Sequence, residues 1–116
     1  MAKNYFPARR LKYGNKKTVV GDRTFDSLKE ANRFKELCIL QKGGYIKDLE
    51  CQKRFEVVPK TEGERAVFYV ADFVYLENGQ LICEDVKSPI TRQNSTYIIK
   101  RKLFKYLYKN YEFREV

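Results

Sequence analysis

Two aspartates and a lysine lie on either side of a hairpin signal, at a spacing that would bring them together. Asp72 interrupts a strongly apolar run, and Asp85 and Lys87 follow the turn signal Asn78-Gly79. Because a hairpin sets its two strands side by side, we expect Asp72 to lie beside Asp85. Close carboxylates repel each other unless a cation lies between them. Mg²⁺, or Mn²⁺ in its place, binds such oxygen ligands, so the pattern predicts a divalent-metal site.

Glu84 stands next to Asp85 and needs a separate interpretation. Side chains alternate along a strand, so Asp85 and Lys87 should share one face of the sheet while Glu84 faces the other. A β-bulge would exchange the roles of Glu84 and Asp85, and that alternative stays open. The competing interpretation is a charged hairpin on a solvated face. A carboxylate in the middle of an apolar strand is costly without a partner, which favours the metal site.

Two further charged residues fall on otherwise apolar helix faces. Glu30 completes the capping-box pattern that begins at Ser27, yet on the helical wheel it lies between Phe34 and Leu37. It is therefore either a helix cap or a charge on an apolar helix face that needs another explanation. Lys100 is centred on the apolar stripe of a second predicted helix, so its ammonium either extends to solvent or meets a buried anion. Polar residues that are candidate neighbours of the site are Gln52, Thr91 and Gln93.

The composition excludes several other chemistries. The chain has no histidine among its 116 residues, which excludes imidazole bases, Ser-His-Asp triads and histidine-bearing zinc sites. The three cysteines form no CxxC pair, and their odd number argues against a disulfide framework. Their apolar neighbours indicate buried thiols in a reducing compartment. No secretory signal and no apolar run of about 18 residues is present, so we expect a cytoplasmic protein without a membrane span.

Positive charge is concentrated in two segments of a chain with a net charge of +9. Residues 1–17 contain six basic and no acidic residues, and residues 87–111 contain seven and none. Clusters of this kind commonly contact phosphate backbones, although a single basic run is more often a solvated surface. The candidate nucleic-acid contacts are Arg9, Arg10, Lys12, Lys16, Lys17, Arg92 and Arg101.

The elements that must position these residues follow the order α-β-β-β-α-β. Residues 1–17 are expected to form a basic arm, and residues 18–116 a single domain that opens with a short hairpin over 18–25. One helix should run from Ser27 to about Gln41, and another from a cap at Ser95 or Thr96 to about Asn110. The predicted strands cover 49–58, 66–76, 81–87 and 111–116. Three strands form an antiparallel meander and the last is parallel to its neighbour, which predicts an α/β fold with a mixed sheet flanked by two helices.

In this setting Asp72 and Asp85-Val86-Lys87 resemble the signature D-x(n)-(D/E)-x-K of the PD-(D/E)xK nuclease superfamily. That superfamily has the restriction-endonuclease-like core αβββαβ, and its name-giving proline is here replaced by Ala71, at a position that varies widely. Within it, the chain resembles a family of uncharacterised phage proteins related to Holliday junction resolvases. The stretches that carry this resemblance are Phe25-Asp26-Ser27-Leu28-Lys29-Glu30-Ala31, Tyr69-Val70-Ala71-Asp72-Phe73, Glu84-Asp85-Val86-Lys87 and Thr96-Tyr97-Ile98-Ile99-Lys100-Arg101-Lys102-Leu103.

The resemblance implies roles for individual residues. Asp72, Asp85 and the Val86 carbonyl would bind Mg²⁺, and the superfamily often adds an acidic residue from the first helix, here Glu30. Lys87 would orient or help deprotonate the attacking water and stabilise charge in the transition state. Independently of the resemblance, the position of Lys100 on the helical wheel makes it a candidate to join this catalytic group as a charge near the carboxylates.

The implied function is that of a Mg²⁺-dependent endodeoxyribonuclease acting on DNA, with branched DNA among the candidate substrates. It would act in the host cytoplasm if the protein is phage-encoded, and as a homodimer, since cutting two strands symmetrically needs two sites. The alternatives are a non-catalytic nucleic-acid-binding module that uses the basic flanks, and a small structural or ribosome-associated basic protein. Phosphate binders of those kinds have no use for converging carboxylates, which favours the nuclease.

Overall fold

A computed structural model describes residues 17–116 of the chain. Its strands are β1 (Thr18–Val20), β2 (Arg23–Phe25), β3 (Lys47–Val58), β4 (Val67–Glu77), β5 (Gln80–Asp85) and β6 (Tyr111–Glu115). Its helices are α1 (Leu28–Lys42) and α2 (Ser95–Leu107), with a 3₁₀ turn at Thr91–Gln93 before α2. The predicted hairpin and the order α-β-β-β-α-β after it are both confirmed. The basic arm lies outside the described residues except for Lys17.

The main sheet has four strands in the order β3-β4-β5-β6. β3, β4 and β5 form an antiparallel meander, and α2 crosses over so that β6 pairs with β5 in parallel. Asn78 and Gly79 link β4 to β5 with φ angles of 52° and 79°, the left-handed values that a tight hairpin turn requires. The predicted mixed sheet of an α/β fold is therefore confirmed.

Side-chain caps fix where the two helices begin. The Ser27 hydroxyl accepts the Glu30 N–H at 3.1 Å, as the capping box predicts. The prediction of Ser95 or Thr96 as the second cap is wrong, because the Asn94 side chain accepts the Tyr97 N–H at 2.9 Å. Asparagine caps helices as well as serine does, which the sequence analysis overlooked. Among the described residues no helix is long and apolar enough to cross a membrane.

α2 also ends earlier than predicted, at Leu107 rather than near Asn110. Its last turn closes with the Tyr108 N–H bonded to the Phe104 carbonyl, and Tyr111 then begins β6. The chain needs the three residues between α2 and β6 to turn back along the sheet. A helix continued to Asn110 would leave no connection.

The sheet is covered on both faces, one by each helix. On the α1 side, Leu37 packs with Phe73, Tyr75 and Ile82. On the α2 side, Phe104 is fully buried among aromatic rings, with its centroid 4.8 Å from that of Phe55. These two apolar layers hold the centre of the sheet, so side chains at the ends of its central strands are placed by a packed scaffold.

The cysteines contribute to these layers without forming disulfides. Cys83 is buried on the α2 side, and burial raises the pKa of its thiol to about 12. Cys38 and Cys51 are only half-buried, so the prediction of buried thiols is right for Cys83 alone. All three are free, as the odd count indicated.

The alternation of β4 side chains between the two faces of the sheet is interrupted at Asp72. Tyr69 and Ala71 pack on the α2 side, whereas Phe73 and Tyr75 pack on the α1 side. In a regular strand, residues two apart keep to one face, so these four residues would all share a side. The change of phase occurs between Ala71 and Phe73 and frees the Asp72 carboxylate from the apolar layers.

The alternation of β3 side chains is interrupted at the position opposite Asp72. Phe55 packs on the α2 side, while Cys51, four residues earlier, packs on the α1 side. Between them Gln52 has a left-handed backbone with φ 55°. The residues on either side of Gln52 pair with those on either side of Asp72, so the two residues lie opposite each other in unbroken register. The two strands therefore turn over together at this point.

Candidate metal-binding site

Asp72 lies where β4 and β5 separate. The last pair of their ladder is Phe73 with Glu84, and beyond it the Val86 N–H donates to Oδ2 of Asp72 at 2.7 Å. Burial raises the pKa of Asp72 to about 8, and the charges of Asp85 and Glu30 add to the effect. The carboxylate is thus desolvated and has two acidic neighbours, whose effect outweighs that of the Lys87 charge and would be relieved by a bound cation.

Asp85 is buried and has a protein donor on each oxygen. Lys87 Nζ binds Oδ1, and the Tyr69 hydroxyl donates to Oδ2. Burial raises the pKa of Tyr69 above its ordinary range, and the charge of Asp85 raises it further, so the phenol keeps its proton. Sequence analysis missed Tyr69, because only the strand register shows that its hydroxyl reaches Asp85.

Lys87 is held as a protonated ammonium at this position. Burial by itself would lower its pKa, but the charges of Asp85 and Asp72 outweigh that effect and raise it. Its Nζ also lies 4.7 Å from the centroid of the Tyr97 ring, a cation–π contact with α2. The first turn of α1 is tied to the same residue, since Lys29 Nζ donates a hydrogen bond to the Lys87 carbonyl at 3.1 Å.

Glu30 belongs both to the helix cap and to the acidic group at the site, the two interpretations that the sequence left open. Its N–H is capped by Ser27, while its carboxylate, on a residue only 5% exposed, accepts a 2.8 Å hydrogen bond from Gln52 Nε2. The same Nε2 lies 3.4 Å from Oδ1 of Asp72. Burial raises the pKa of Glu30, and the charge of Asp26 raises it further. The backbone of Glu30 therefore serves the cap and its carboxylate faces Asp72.

A cavity of about 240 Å³ opens at these residues. Its walls include the acidic pair Glu30 and Asp72, together with Val86 and Lys87. Thr91, predicted as a polar neighbour, also lines it, and its hydroxyl is bonded to Ser88 in a compact turn. Gln93, the other predicted neighbour in this region, is exposed in the 3₁₀ turn and does not line the cavity.

Glu84 lies on the opposite face of the sheet from Asp85, as alternation predicts. It is fully buried, and Arg33 of α1 binds it with two hydrogen bonds of 2.8 and 2.6 Å. The Tyr75 hydroxyl donates to the same carboxylate. A bulge that exchanges Glu84 with Asp85 is therefore absent from β5, whose pairing with β6 is regular from Leu81 onward.

The donor chemistry of the site suits a hard divalent cation, because Asp72, Asp85 and Glu30 supply carboxylate oxygens. Across residues 17–116, however, no three acidic or sulfur side chains converge closely enough to enclose an ion. In this arrangement the Lys87 ammonium binds Oδ1 of Asp85, and Gln52 Nε2 binds Oε2 of Glu30 and leaves its other oxygen free of this bond. These residues fit a metal chemically, and the Lys87 ammonium would have to leave the Asp85 carboxylate for an ion to enter.

Residues 10–115 match the sequence pattern of one protein family. The chain belongs to that family, described as Protein of unknown function (DUF1064). The match contains Glu30, Asp72, Asp85 and Lys87, so the whole candidate site lies within the family's extent. No curated protein and no solved structure matches the chain.

Lys100 is not brought to the carboxylates. It is half-buried on α2, and within the described part of the chain it makes no ion pair or hydrogen bond. The apolar stripe on which it was centred is narrower than predicted, because Leu107 is 49% exposed while Tyr97 and Phe104 pack against the sheet. Lys87 supplies the cation at Asp85 instead.

The predicted nucleic-acid contacts divide into two groups. Arg9, Arg10, Lys12 and Lys16 lie outside the described residues. Arg92 and Arg101 both approach Glu115, at 3.6 and 3.4 Å, and Lys17 pairs with Asp26 at 3.0 Å. The side chains of these ion pairs are all partly exposed to solvent, which weakens the pairs.

Proposed function

We propose that the protein is a Mg²⁺-dependent endonuclease that hydrolyses phosphodiester bonds in DNA. The observation that carries this proposal is that Asp72 and Glu30 line one cavity together with Lys87, whose ammonium binds the buried Asp85. A fold stabilised by apolar packing gains nothing from burying Asp72 where the charges of Asp85 and Glu30 raise its pKa. Such a cluster is useful where a cation and a phosphate must be held together.

On this proposal, different residues of the site have different roles in hydrolysis. Asp72 and Asp85, with Glu30 and the Val86 carbonyl, would hold the metal, which when bound lowers the pKa of its water and neutralises phosphate oxygens. Lys87 would then leave Asp85 and place its charge on the phosphate in the transition state. Because its pKa is raised, Lys87 enters this step protonated. It therefore acts as a positive charge and a water-orienting group rather than as a base.

The order of the elements supports membership of the PD-(D/E)xK superfamily. Asp72 is on β4, and Asp85-Val86-Lys87 begins at the last residue of the adjacent strand β5, at the places where the superfamily's signature falls in an αβββαβ core. On this proposal the chain is a DNA-processing or junction-resolving enzyme of phage type. One site per chain cuts one strand, so cutting both strands of a junction would require a homodimer.

A non-catalytic nucleic-acid-binding module is the second candidate. It is favoured by the basic segments and by the internal hydrogen bonds that satisfy Asp85 without a metal. The two candidates differ in a single measurable respect. Both bind DNA with strong salt dependence, and only the nuclease cuts it.

Cleavage of supercoiled plasmid and of a four-way junction in Mg²⁺, with EDTA as the blank, tests the proposal. The informative variant is Lys87→Ala, and Lys102→Ala is its matched control, because it removes the same charge from an exposed site on α2. We expect wild type and Lys102→Ala to cut, and Lys87→Ala to bind DNA without cutting. Binding without cutting by the wild type would favour the second candidate. Wild-type turnover in Lys87→Ala would remove that residue from the mechanism.

A further inference from the structure

Gln52 has a backbone conformation that its position in the sheet does not explain. It lies in the interior of β3 with φ 55°, a left-handed value that residues other than glycine seldom adopt. Strand pairing continues in register on both sides of it, so no turn or strand end imposes the conformation. Strained backbone of this kind persists where the surrounding structure enforces it, and it is concentrated at functional sites.

The conformation has a definite result for the side chain. It directs the Gln52 amide between two carboxylates from different elements, Glu30 on α1 and Asp72 on β4. Nε2 lies 2.8 Å from Oε2 of Glu30 and 3.4 Å from Oδ1 of Asp72, and it carries one hydrogen for each. A neutral donor thus stands between two acids that otherwise repel each other.

Packing does not account for the side chain of this residue. Gln52 is exposed, so it fills no space in either apolar layer. Its neighbour Cys51, by contrast, packs against the α1 layer with ordinary strand geometry. What Gln52 adds to the molecule is the pair of hydrogen bonds to acidic groups.

We propose that Gln52 is a positioning residue of the metal site, which holds the Glu30 carboxylate beside Asp72 and so brings an α1 ligand to a β4 ligand. This inference rests on the proposed function, since it concerns how the acidic group is assembled for a divalent ion. The bond from Gln52 uses one oxygen of Glu30 and fixes the direction of the other. Without it, no contact from β3 would hold the Glu30 carboxylate beside Asp72.

The variant Gln52→Asn separates this role from the backbone strain. Asparagine adopts left-handed φ values more readily than glutamine, so the strand is kept, but its side chain is one methylene shorter and does not span both carboxylates. Mn²⁺ binding to the full-length protein is measured by titration calorimetry, and unfolding by circular dichroism. We expect Mn²⁺ affinity to fall about 10- to 100-fold, the usual effect of losing a group that orients a ligand, with the unfolding midpoint unchanged or higher.

A double-mutant cycle with Glu30→Ala tests whether Gln52 acts through Glu30. In the Glu30→Ala background, Gln52→Asn should cause no further loss of Mn²⁺ affinity. Gln52→Gly is a second variant that relieves the strain and removes the amide, and it should weaken binding as Gln52→Asn does.

The outcomes distinguish this inference from the proposed function. Wild-type protein that binds no Mn²⁺ would overturn both. Wild-type binding that is equally tight in Gln52→Asn and Gln52→Gly would overturn the role of Gln52 and leave the metal site standing. Losses that add fully in the double variant would show that Gln52 does not act through Glu30, and would also overturn the inference.

Discussion

The Tyr69 hydroxyl donates a hydrogen bond to Oδ2 of Asp85, on the side of the carboxylate opposite to the Lys87 ammonium. Tyr69 comes from β4 and Lys87 from the residues just after β5, so two elements fix one buried side chain. Only Lys87 lines the cavity, whereas Tyr69 is 2% exposed and packs in the α2 layer. Lys87 can therefore leave for a substrate while Tyr69 keeps Asp85 in place.

Tyr69→Phe should destabilise the protein and weaken its metal site. The substitution keeps the ring and leaves a buried carboxylate oxygen without its donor, which costs about 1–3 kcal/mol of unfolding free energy. Mn²⁺ affinity should fall roughly 10-fold or more, since the orientation of Asp85 is lost. Urea unfolding and calorimetry measure the two effects. Tyr106→Phe, at a residue 69% exposed, is the control and should change neither. Equal stability of Tyr69→Phe and wild type would contradict this account of Asp85.

Asp72 should make the stability of the metal-free protein depend on pH. Its pKa rises from 3.8 to about 8 on folding, so the folded protein holds this proton more tightly than the unfolded chain does. The contribution of Asp72 to stability is therefore fully present below about pH 4 and is lost as the pH rises towards 8. Asp72→Asn cannot ionise and should escape that loss. We expect the variant to gain stability relative to wild type as the pH rises from about 4 to about 8, measured by urea unfolding in EDTA.

Mg²⁺ should reverse the order of stability of wild type and Asp72→Asn. A bound cation favours the ionised form of Asp72, so adding Mg²⁺ above about pH 8 should stabilise the wild type and leave Asp72→Asn nearly unchanged. A stability difference between the two proteins that stays constant across this pH range would show that the Asp72 carboxylate is not desolvated in the folded state.

Breaking the Arg33–Glu84 pair should destabilise the fold without touching the site. Arg33→Met leaves the fully buried Glu84 charge with only the Tyr75 hydroxyl, at a cost of about 3 kcal/mol. The double variant Arg33→Met/Glu84→Met should recover most of the loss, because it removes both charges and keeps their bulk. Arg54→Met, which removes only an exposed cation–π interaction with the Phe68 ring, should cost less than about 1 kcal/mol. A double variant as unstable as Arg33→Met would contradict this interpretation.

The basic arm should contribute to DNA affinity by binding phosphates. Deleting residues 1–12 removes Lys3, Arg9, Arg10 and Lys12. If these residues bind phosphates, the plot of log K against log salt should become less steep by about 0.9 for each phosphate that the deletion variant no longer neutralises. Fluorescence anisotropy with labelled duplex DNA at several salt concentrations gives the slope. An unchanged slope in the deletion variant would show that the arm binds no phosphates.

Much of the fold was predictable because its signals are local. The capping box at Ser27, the turn at Asn78-Gly79 and the apolar period of α1 each act within a few residues. The start of α2 was misplaced because Asn94, Ser95 and Thr96 are all acceptable caps and local chemistry does not choose among them. The packing of Tyr97 against the sheet sets the helix register that selects Asn94.

The charged residues of the site were predictable from the sequence, whereas the uncharged side chains that hydrogen-bond to them were not. Asp72, Asp85 and Lys87 stand out because charge in an apolar strand is costly. Tyr69 and Gln52 gave little or no signal, since a tyrosine is ordinary in a strand and a glutamine on its surface. Their roles depend on the register of β3 against β4 and on the change of facing at Asp72, which are tertiary features.

The most direct test of the central claim is anomalous diffraction from a crystal soaked in Mn²⁺. We predict one anomalous peak between Asp72 and Asp85, about 2.0–2.6 Å from an oxygen of each, with Lys87 displaced from the Asp85 carboxylate. The absence of a peak there, or a separation of more than about 8 Å between the two carboxylates, would contradict a shared metal and with it the proposed nuclease.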